Sequence, residues 1–232
     1  MTLKRALLKL SGESLSGNAS SIDAESLKRT ALEIKTALDA SNIQLAVVIG
    51  GGNLWRGADK SMDRVTADKI GMLATVMNSL ALNDALKEAG LKSKVFSACG
   101  VSGFAEPFNR EKAVKCLEKG CIAIFAGGTG NPFFTTDTTA ALRAAEIKAG
   151  VLLKATQVDG IYSADPKKDA NAVKYDSLSF SEAIEKRLKI MDAEAFSLCM
   201  HSNISISVFD FYKDGNLCKI LNGEKIGTTV NK

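Results

Sequence analysis

The chain has 232 residues, 46% hydrophobic and 24% charged, with 30 basic against 26 acidic side chains and a formal net charge of +4. This balance fits a soluble globular chain with a substantial core, and without a basic run it argues against nucleic acid as the primary partner. His201 is the one histidine, so a Ser-His-Asp triad, a Cys-His pair or a two-histidine metal site must pass through it or fail.

Cys99, Cys116, Cys121, Cys199 and Cys218 make an odd count with no C-x-x-C pair. They read as small apolar residues of a reduced compartment rather than a disulfide or zinc framework. Lys9 interrupts the first apolar stretch, which defeats a signal peptide, and no apolar run approaches the ~20 residues that span a bilayer. The expectation is a cytoplasmic protein with no membrane role.

In chain order, residues 6–10 read as a short apolar strand running into Ser11-Gly12. Helical periodicity covers residues 22–40, with Asp23 as N-cap. The β-branched run at 45–49 has the character of a buried parallel strand and ends in Gly50-Gly51-Gly52. A long helix is predicted over 65–89, a strand over 94–97, a helix over 110–119 and a strand over Ile122–Ala126, which ends in Gly127-Gly128. Thr136 reads as the N-cap of a helix over 138–149, with Asp137 in its first turn.

A strand follows at 151–154, and Asp159-Gly160 carries the turn signal of a hairpin. Residues 165–175 look like a loop, helices are predicted at 181–188 and 191–200, a strand at 204–209, and 215–230 closes the chain. His201 falls just after the second of these helices, as a helix-end residue. Alternating strands and helices predict an α/β fold, a three-layer αβα sandwich with a mostly parallel central sheet. No linker or repeat divides it, so 1–232 reads as a single domain, with two lobes meeting near Gly127.

Open α/β sheets bind ligands at the carboxyl ends of their strands. Three glycine loops fall there, at Ser11-Gly12, Gly50–Gly52 and Gly127–Asn131, and glycine runs let backbone N–H groups surround a phosphate. Neither a Walker A loop nor a G-x-G-x-x-G fingerprint is present, which removes the P-loop and dinucleotide readings. Lys9 and Lys154 each end a buried strand and would reach into the same anionic cleft. Cations and oriented N–H groups that neutralise a moving phosphoryl lower its barrier without a general base. A phosphate acceptor is already ionised, which suits a chain almost without histidine.

These residues resemble the bacterial UMP kinases of the amino acid kinase superfamily over nearly the whole chain. The strings that carry the resemblance are LLKLSGES (7–14), VVIGGGNLWRG (47–57), GMLATVMNSLAL (71–82), GTGNPFFTTDT (128–138), LLKATQVDGIYSADP (152–166) and GEKIGTTV (223–230). The fourth is the most specific, since it separates these enzymes from the carboxylate and carbamate kinases of the superfamily.

The resemblance implies ATP-dependent phosphorylation of UMP to UDP by in-line transfer, with UMP in the N-lobe and ATP in the C-lobe. Lys9, Leu10, Ser11, Gly12, Gly52 and Arg56 would lie on the ATP phosphates. Thr156, Tyr162 and Asp165 would meet the adenine nucleotide. UMP would contact Gly51, Asp68, Thr129, Gly130, Asn131, Pro132, Phe133, Phe134, Thr135 and Thr136. Lys9, Lys154 and Arg56 would serve the chemistry, with Asp137 and Asp192 as candidates for orienting the lysines or the Mg²⁺ shell. The metal would arrive as Mg²⁺ on ATP rather than in a site of the protein's own.

Asp137 as a helix-end charge and Tyr162 as a hairpin residue remain the plain alternatives. The resemblance also implies a homohexamer and UTP as a feedback inhibitor. Residues 17–21 lack the glycine- and phenylalanine-containing loop associated with GTP activation, so that property does not carry over. A nucleotide sensor without catalysis, or a kinase for another small phosphate or carboxylate acceptor, is the competing function.

Overall fold

Residue identity explains the central layer first. The computed structural model describes residues 3–17, 21–56, 62–166, 168–169, 171–188 and 190–232. Near-continuous apolar runs form β1 (Arg5–Leu10), β2 (Gln44–Ile49), β5 (Ile122–Ala126) and β6 (Val151–Thr156), as expected of parallel strands covered on both faces. Between them come α1 (Ala24–Asp39), α2 (Arg64–Glu88), β3 (Ser93–Ser97), β4 (Glu106–Pro107), α3 (Arg110–Glu118) and α4 (Thr136–Glu146). The remainder is β7 (Ile161–Tyr162), β8 (Lys174–Tyr175), β9 (Ser177–Ser179), α5 (Phe180–Glu185), α6 (Ala193–His201), β10 (Ser205–Asp210), α7 (Asn216–Leu221) and β11 (Thr228–Asn231).

Among the described residues the main sheet has nine strands in the order β4-β3-β5-β2-β1-β6-β10-β11-β9. All neighbours are parallel except β10 and β11. Successive residues of β1 enter opposite cores. Leu7 packs with Val48, Phe125 and Ala140 beneath α3, α4 and α6, whereas Leu8 packs with Val47, Ile124 and Leu82 beneath α1, α2 and α7. That alternation makes the three αβα layers. The chain leaves β1 toward β2 and returns on its other side as β6, so the two strands flank a topological switch point.

Asp23 caps α1, accepting from the Ser26 N–H at 2.8 Å, as its sequence position predicts. Three expectations need correcting. The helix predicted at 138–149 begins at Thr136, because the Thr135 hydroxyl, not Thr136, accepts from the N–H groups of Asp137 (3.0 Å) and Thr138 (3.2 Å). Asp159-Gly160 does not close a hairpin between β6 and β7: β6 stays in the main sheet, while β7 pairs antiparallel with β8. The helix predicted at 181–188 starts at Phe180, set by a Ser179–Glu182 capping box. The closing segment 215–230 resolves into α7 and β11, and the strand pairs β10. His201 is the exposed last residue of α6. Residues 18–20 of the segment compared with the GTP-linked loop, and Gly57 of the second string, lie outside the described residues.

Candidate active site

Parallel pairing of β1 with β6 puts Lys9 directly opposite Lys154. The first turn of α4 carries Asp137 over them. Its Oδ1 lies 3.1 Å from the Lys9 Nζ and its Oδ2 2.7 Å from the Lys154 Nζ, with all three side chains about 15% exposed. Lys154 also donates to the Ile190 carbonyl at 2.6 Å. Burial pushes the Asp137 carboxyl up, but the two ammoniums outweigh it and hold it below the usual carboxylate range. Burial, aided by the charge of Lys9, pushes Lys154 below an ordinary lysine despite Asp137. Two cations around one anion leave a positive remainder at the strand ends.

Asp192 takes a different place. It caps α6, accepting from the Ala195 N–H at 2.8 Å, and accepts from the Thr138 hydroxyl at 2.9 Å and from the Thr135 hydroxyl. It thus ties α6 to the start of α4. Its attraction for Lys154 is weaker than that of Asp137.

The glycine loops are locked together by α2. Asn78 donates from Nδ2 to the Gly50 carbonyl and to Asn53 Oδ1, both at 2.7 Å, and Thr75 accepts from the Gly127 N–H at 2.9 Å. A side chain at Gly12 would meet Asn53 Oδ1 at 2.3 Å and the Gly50 carbonyl at 2.8 Å, so the first two loops touch backbone to backbone. The third loop turns through positive φ at Gly127, Gly128 and Gly130 and also at Phe133 (φ 73°), a conformation unfavourable for a residue with a Cβ. Asp68 on α2 holds that turn, accepting from the Phe133 N–H at 2.8 Å and from Arg64 Nε at 2.9 Å.

A cleft of about 630 Å³ opens between α2 and these loops, with Gly51, Gly52, Arg56, Asp68, Asn131 and Thr136 in its wall. Phe134 also lines it, while Thr129, Gly130, Pro132 and the 64%-exposed Phe133 belong to the loop at its rim. A second cleft of about 530 Å³ carries Lys154, Thr156, Tyr162 and Asp165. A third, of about 280 Å³, carries Lys9, Ser11, Lys154 and Thr156, so the lysine pair stands where the second and third meet.

Leu10 is buried in the core, and its backbone rather than its side chain approaches the loops: the Leu10 carbonyl accepts from the Gly50 N–H. The Ser11 hydroxyl caps the Gly12–Leu15 turn, Thr156 bonds the Val158 carbonyl at 2.6 Å, and the Tyr162 hydroxyl donates to Asp159 at 2.6 Å. Arg56 lies exposed and ion-paired with Glu13.

Sequence reasoning missed several residues in these walls. Arg64 stacks over the Phe133 ring at 5.9 Å, and its i,i+4 spacing to Asp68 was the available signal. Trp55, Met72 and Thr139 line the first cleft, Lys186 and Arg187 the second, and Glu13, Gln157 and Tyr212 the third. They become neighbours through tertiary packing, and no spacing announces them.

A parallel α/β sheet whose switch point presents two lysines, a helix N-terminus and glycine loops to shared clefts defines a phosphotransferase. The amino acid kinase family matches residues 4–210, and the chain belongs to it. Its structure is similar to that of the UMP kinase from Bacillus anthracis, with 37% identity over 100% of this chain and 97% of that one and a TM-score of 0.95. The UMP kinase from Ureaplasma parvum has 37% identity, covers 100% of both chains and has a TM-score of 0.93. The uridylate kinase from Archaeoglobus fulgidus has 31% identity, covers 97% of this chain and 99% of that one and has a TM-score of 0.73.

Proposed function

We propose that the chain transfers the γ-phosphoryl of ATP to the phosphate of UMP, giving ADP and UDP. One arrangement carries this reading: Lys9 and Lys154 paired across β1 and β6 with Asp137 bridging them. UMP takes the first cleft, with Asp68 toward its sugar hydroxyls and residues 129–136 around it. ATP takes the second and third, with Tyr162 and Asp165 toward the adenine nucleoside and Ser11 toward the phosphates; Gly52 and Arg56, expected on the ATP phosphates, line the first cleft instead and would meet them only where the clefts adjoin, with Gly12 packed between the loops. The acceptor phosphate is ionised at neutral pH, so no side chain has to remove its proton. The lysines neutralise charge spreading over the transferred group, and Asp137 keeps both ammoniums aimed at it.

Among the described residues no three His, Cys, Asp or Glu side chains cluster as a metal site. Both oxygens of Asp137 face lysines, and those of Asp192 face hydroxyls and an N–H. This donor set fits Mg²⁺ carried on the nucleotide's own phosphate oxygens, where it would offset their charge. Of the described helices none is long and apolar enough to cross a membrane, and a cytoplasmic setting belongs to the same reading. Six-copy assembly belongs to the same reading, and Leu73 and Met77, exposed on α2, would be available to an interface between copies. UTP feedback belongs to it too, and GTP activation is left open.

A panel of nucleoside monophosphates with MgATP tests the proposal. ADP release with UMP above all others is expected. Turnover with a carboxylate acceptor instead, or tight nucleotide binding without transfer, would replace it with one of the competing functions.

A further inference from the structure

The carboxyl end of α3 ends in a motif that brings two cysteines together. Cys121 donates its N–H to the Cys116 carbonyl at 3.0 Å, Gly120 donates to the Leu117 carbonyl at 3.0 Å, and Gly120 has φ +68°. These are the paired bonds and left-handed glycine of a Schellman stop, which sets the side chains of its first and last residues against each other. Apolar groups usually fill those two places; here both are thiols. Both Sγ atoms approach the Ile122 carbonyl, at 3.9 Å and 3.7 Å, and the Cys116 Sγ also lies 3.6 Å from the Cys121 carbonyl. Cys116 is buried and Cys121 is partly exposed, so one sulfur is shielded and the other can be reached.

The surroundings are cationic. A cleft of about 360 Å³ opens onto the pair between α3, β3 and β4, with Lys94, Lys112, Lys115 and Lys119 in its wall. Lys92 also acts on Cys121. Glu106 faces Lys94 at 2.5 Å, and Asp39 and Glu118 line the opposite side of Cys121. The neighbouring Cys116 thiol lowers the Cys121 thiol to about 7, with Lys94 and Lys92 adding to it and burial opposing; Cys116 is pushed up. A thiol near ambient pH is the best attacking group in thiol–disulfide exchange. The remaining cysteines lack such a partner: Cys199 is buried and pushed up to about 12.

We propose that Cys116 and Cys121 form a modification site that reacts with a low-molecular-weight disulfide and closes to an intramolecular bridge. The Cys121 thiolate attacks one sulfur of the reagent; a mixed disulfide forms, the reagent's S–S bond breaks, and the expelled thiolate takes a proton. Cys116 then loses its proton to solvent and attacks the Cys121 sulfur, expelling the second small thiol. Two cysteines are oxidised to one disulfide and one reagent molecule is reduced to two thiols. The site lies at the amino end of β5, the edge of the sheet opposite the lysine pair, so its chemistry does not depend on phosphoryl transfer.

The test treats the full chain with oxidised glutathione at neutral pH and maps it with trypsin before and after reduction. Lys119 lies between the cysteines, so a bridge is expected to keep the two flanking peptides joined until reductant is added. Cys116→Ser should stop at a glutathione adduct on Cys121, and Cys121→Ser should yield neither adduct nor bridge there. Alkylation of Cys121 in the unmodified chain should rise through a midpoint near pH 7, and Cys116→Ala, which leaves no donor at that position, should move that midpoint upward. Glutathione appearing on Cys99 or Cys218 with no linkage across Lys119, or an alkylation midpoint at the ordinary thiol value of about 8.5, would overturn the proposal.

Discussion

Lys9 and Lys154 face each other across two adjacent parallel strands, and the two oxygens of Asp137 hold one ammonium each. Three partly buried charges sum to one positive charge at the switch point of the sheet. An arriving phosphate therefore meets cations already desolvated and aimed, with little left to reorganise.

Asp137→Asn removes the anion and leaves two ammoniums opposed. Breaking such a pair is expected to lower stability by about 3 kcal/mol. The folded-state carboxyl of Asp137 lies below its unfolded value of 3.8, so its stabilisation is present above that value and is lost as pH falls through the lower folded one. Urea unfolding at neutral pH should separate the variant from the parent chain, and the gap should close in strong acid. A gap that persists there would mean that Asp137 acts by packing rather than charge.

Lys9→Ala removes half of the cationic pair while Lys154 keeps both its carboxylate and the Ile190 carbonyl. The expected loss is at least ~10² in kcat, with UMP affinity little changed. Near-normal turnover in a coupled ADP-release assay would take Lys9 out of the chemistry.

Lys154 predicts an alkaline limb. Its folded-state value lies below 10.5, so raising the pH strips its proton in the folded chain first. The burial penalty on its charge weighs on the fold below that lowered value and is relieved as pH rises through it, so stability should gain where activity falls. Lys154→Arg keeps the charge at every accessible pH. Its kcat should be lower at neutral pH, from the bulkier head, yet stay flat where the parent declines. A kcat–pH profile for the two proteins decides it, and parallel declines would assign the limb to another group.

The strands were legible because parallel strands buried on both faces must be apolar throughout, and a lysine ending such a run stands out. Asp23 was legible because few residues can cap a helix at that point. The α4 cap was not: in Thr135-Thr136-Asp137-Thr138 three hydroxyls compete, and only the folded backbone shows that Thr135 is the one that accepts from the N–H groups of Asp137 and Thr138. The pairing of β7 with β8 eluded the turn signal because two-residue strands have no periodicity to read. Asn78, in the helix predicted over 65–89, gave no hint that it holds Gly50 and Asn53.

Arg56 is paired with Glu13 rather than turned to the lysines. An exposed pair of this kind contributes at most about 1 kcal/mol to stability, but it restrains a cation beside the cleft. Glu13→Gln should release Arg56 and lower the KM for the nucleotide it meets by ~2–5-fold, less so at high salt, with the melting temperature unchanged. Steady-state kinetics at two salt concentrations checks this. A rise in KM would mean that Glu13 positions Arg56 for binding.

Gly12 tests the interlock of the first two glycine loops. A Cβ there would lie 2.3 Å from Asn53 Oδ1, 2.8 Å from the Gly50 carbonyl and 3.0 Å from the Gly52 N. None of these can retreat cheaply: two are backbone, and the Asn53 amide is held by Asn78 at 2.7 Å. Gly12→Ala should therefore destabilise by about 2–3 kcal/mol and, by parting the loops, lower kcat as well. Gly52→Ala is the matched control, since its Cβ would meet nothing within 4 Å. That variant should melt like the parent chain and lose affinity only where a phosphate must approach the backbone. Equal melting temperatures for the two variants would show that the loops are free to separate, and the close approach of Gly12 to Gly50 would then have no part in holding the cleft.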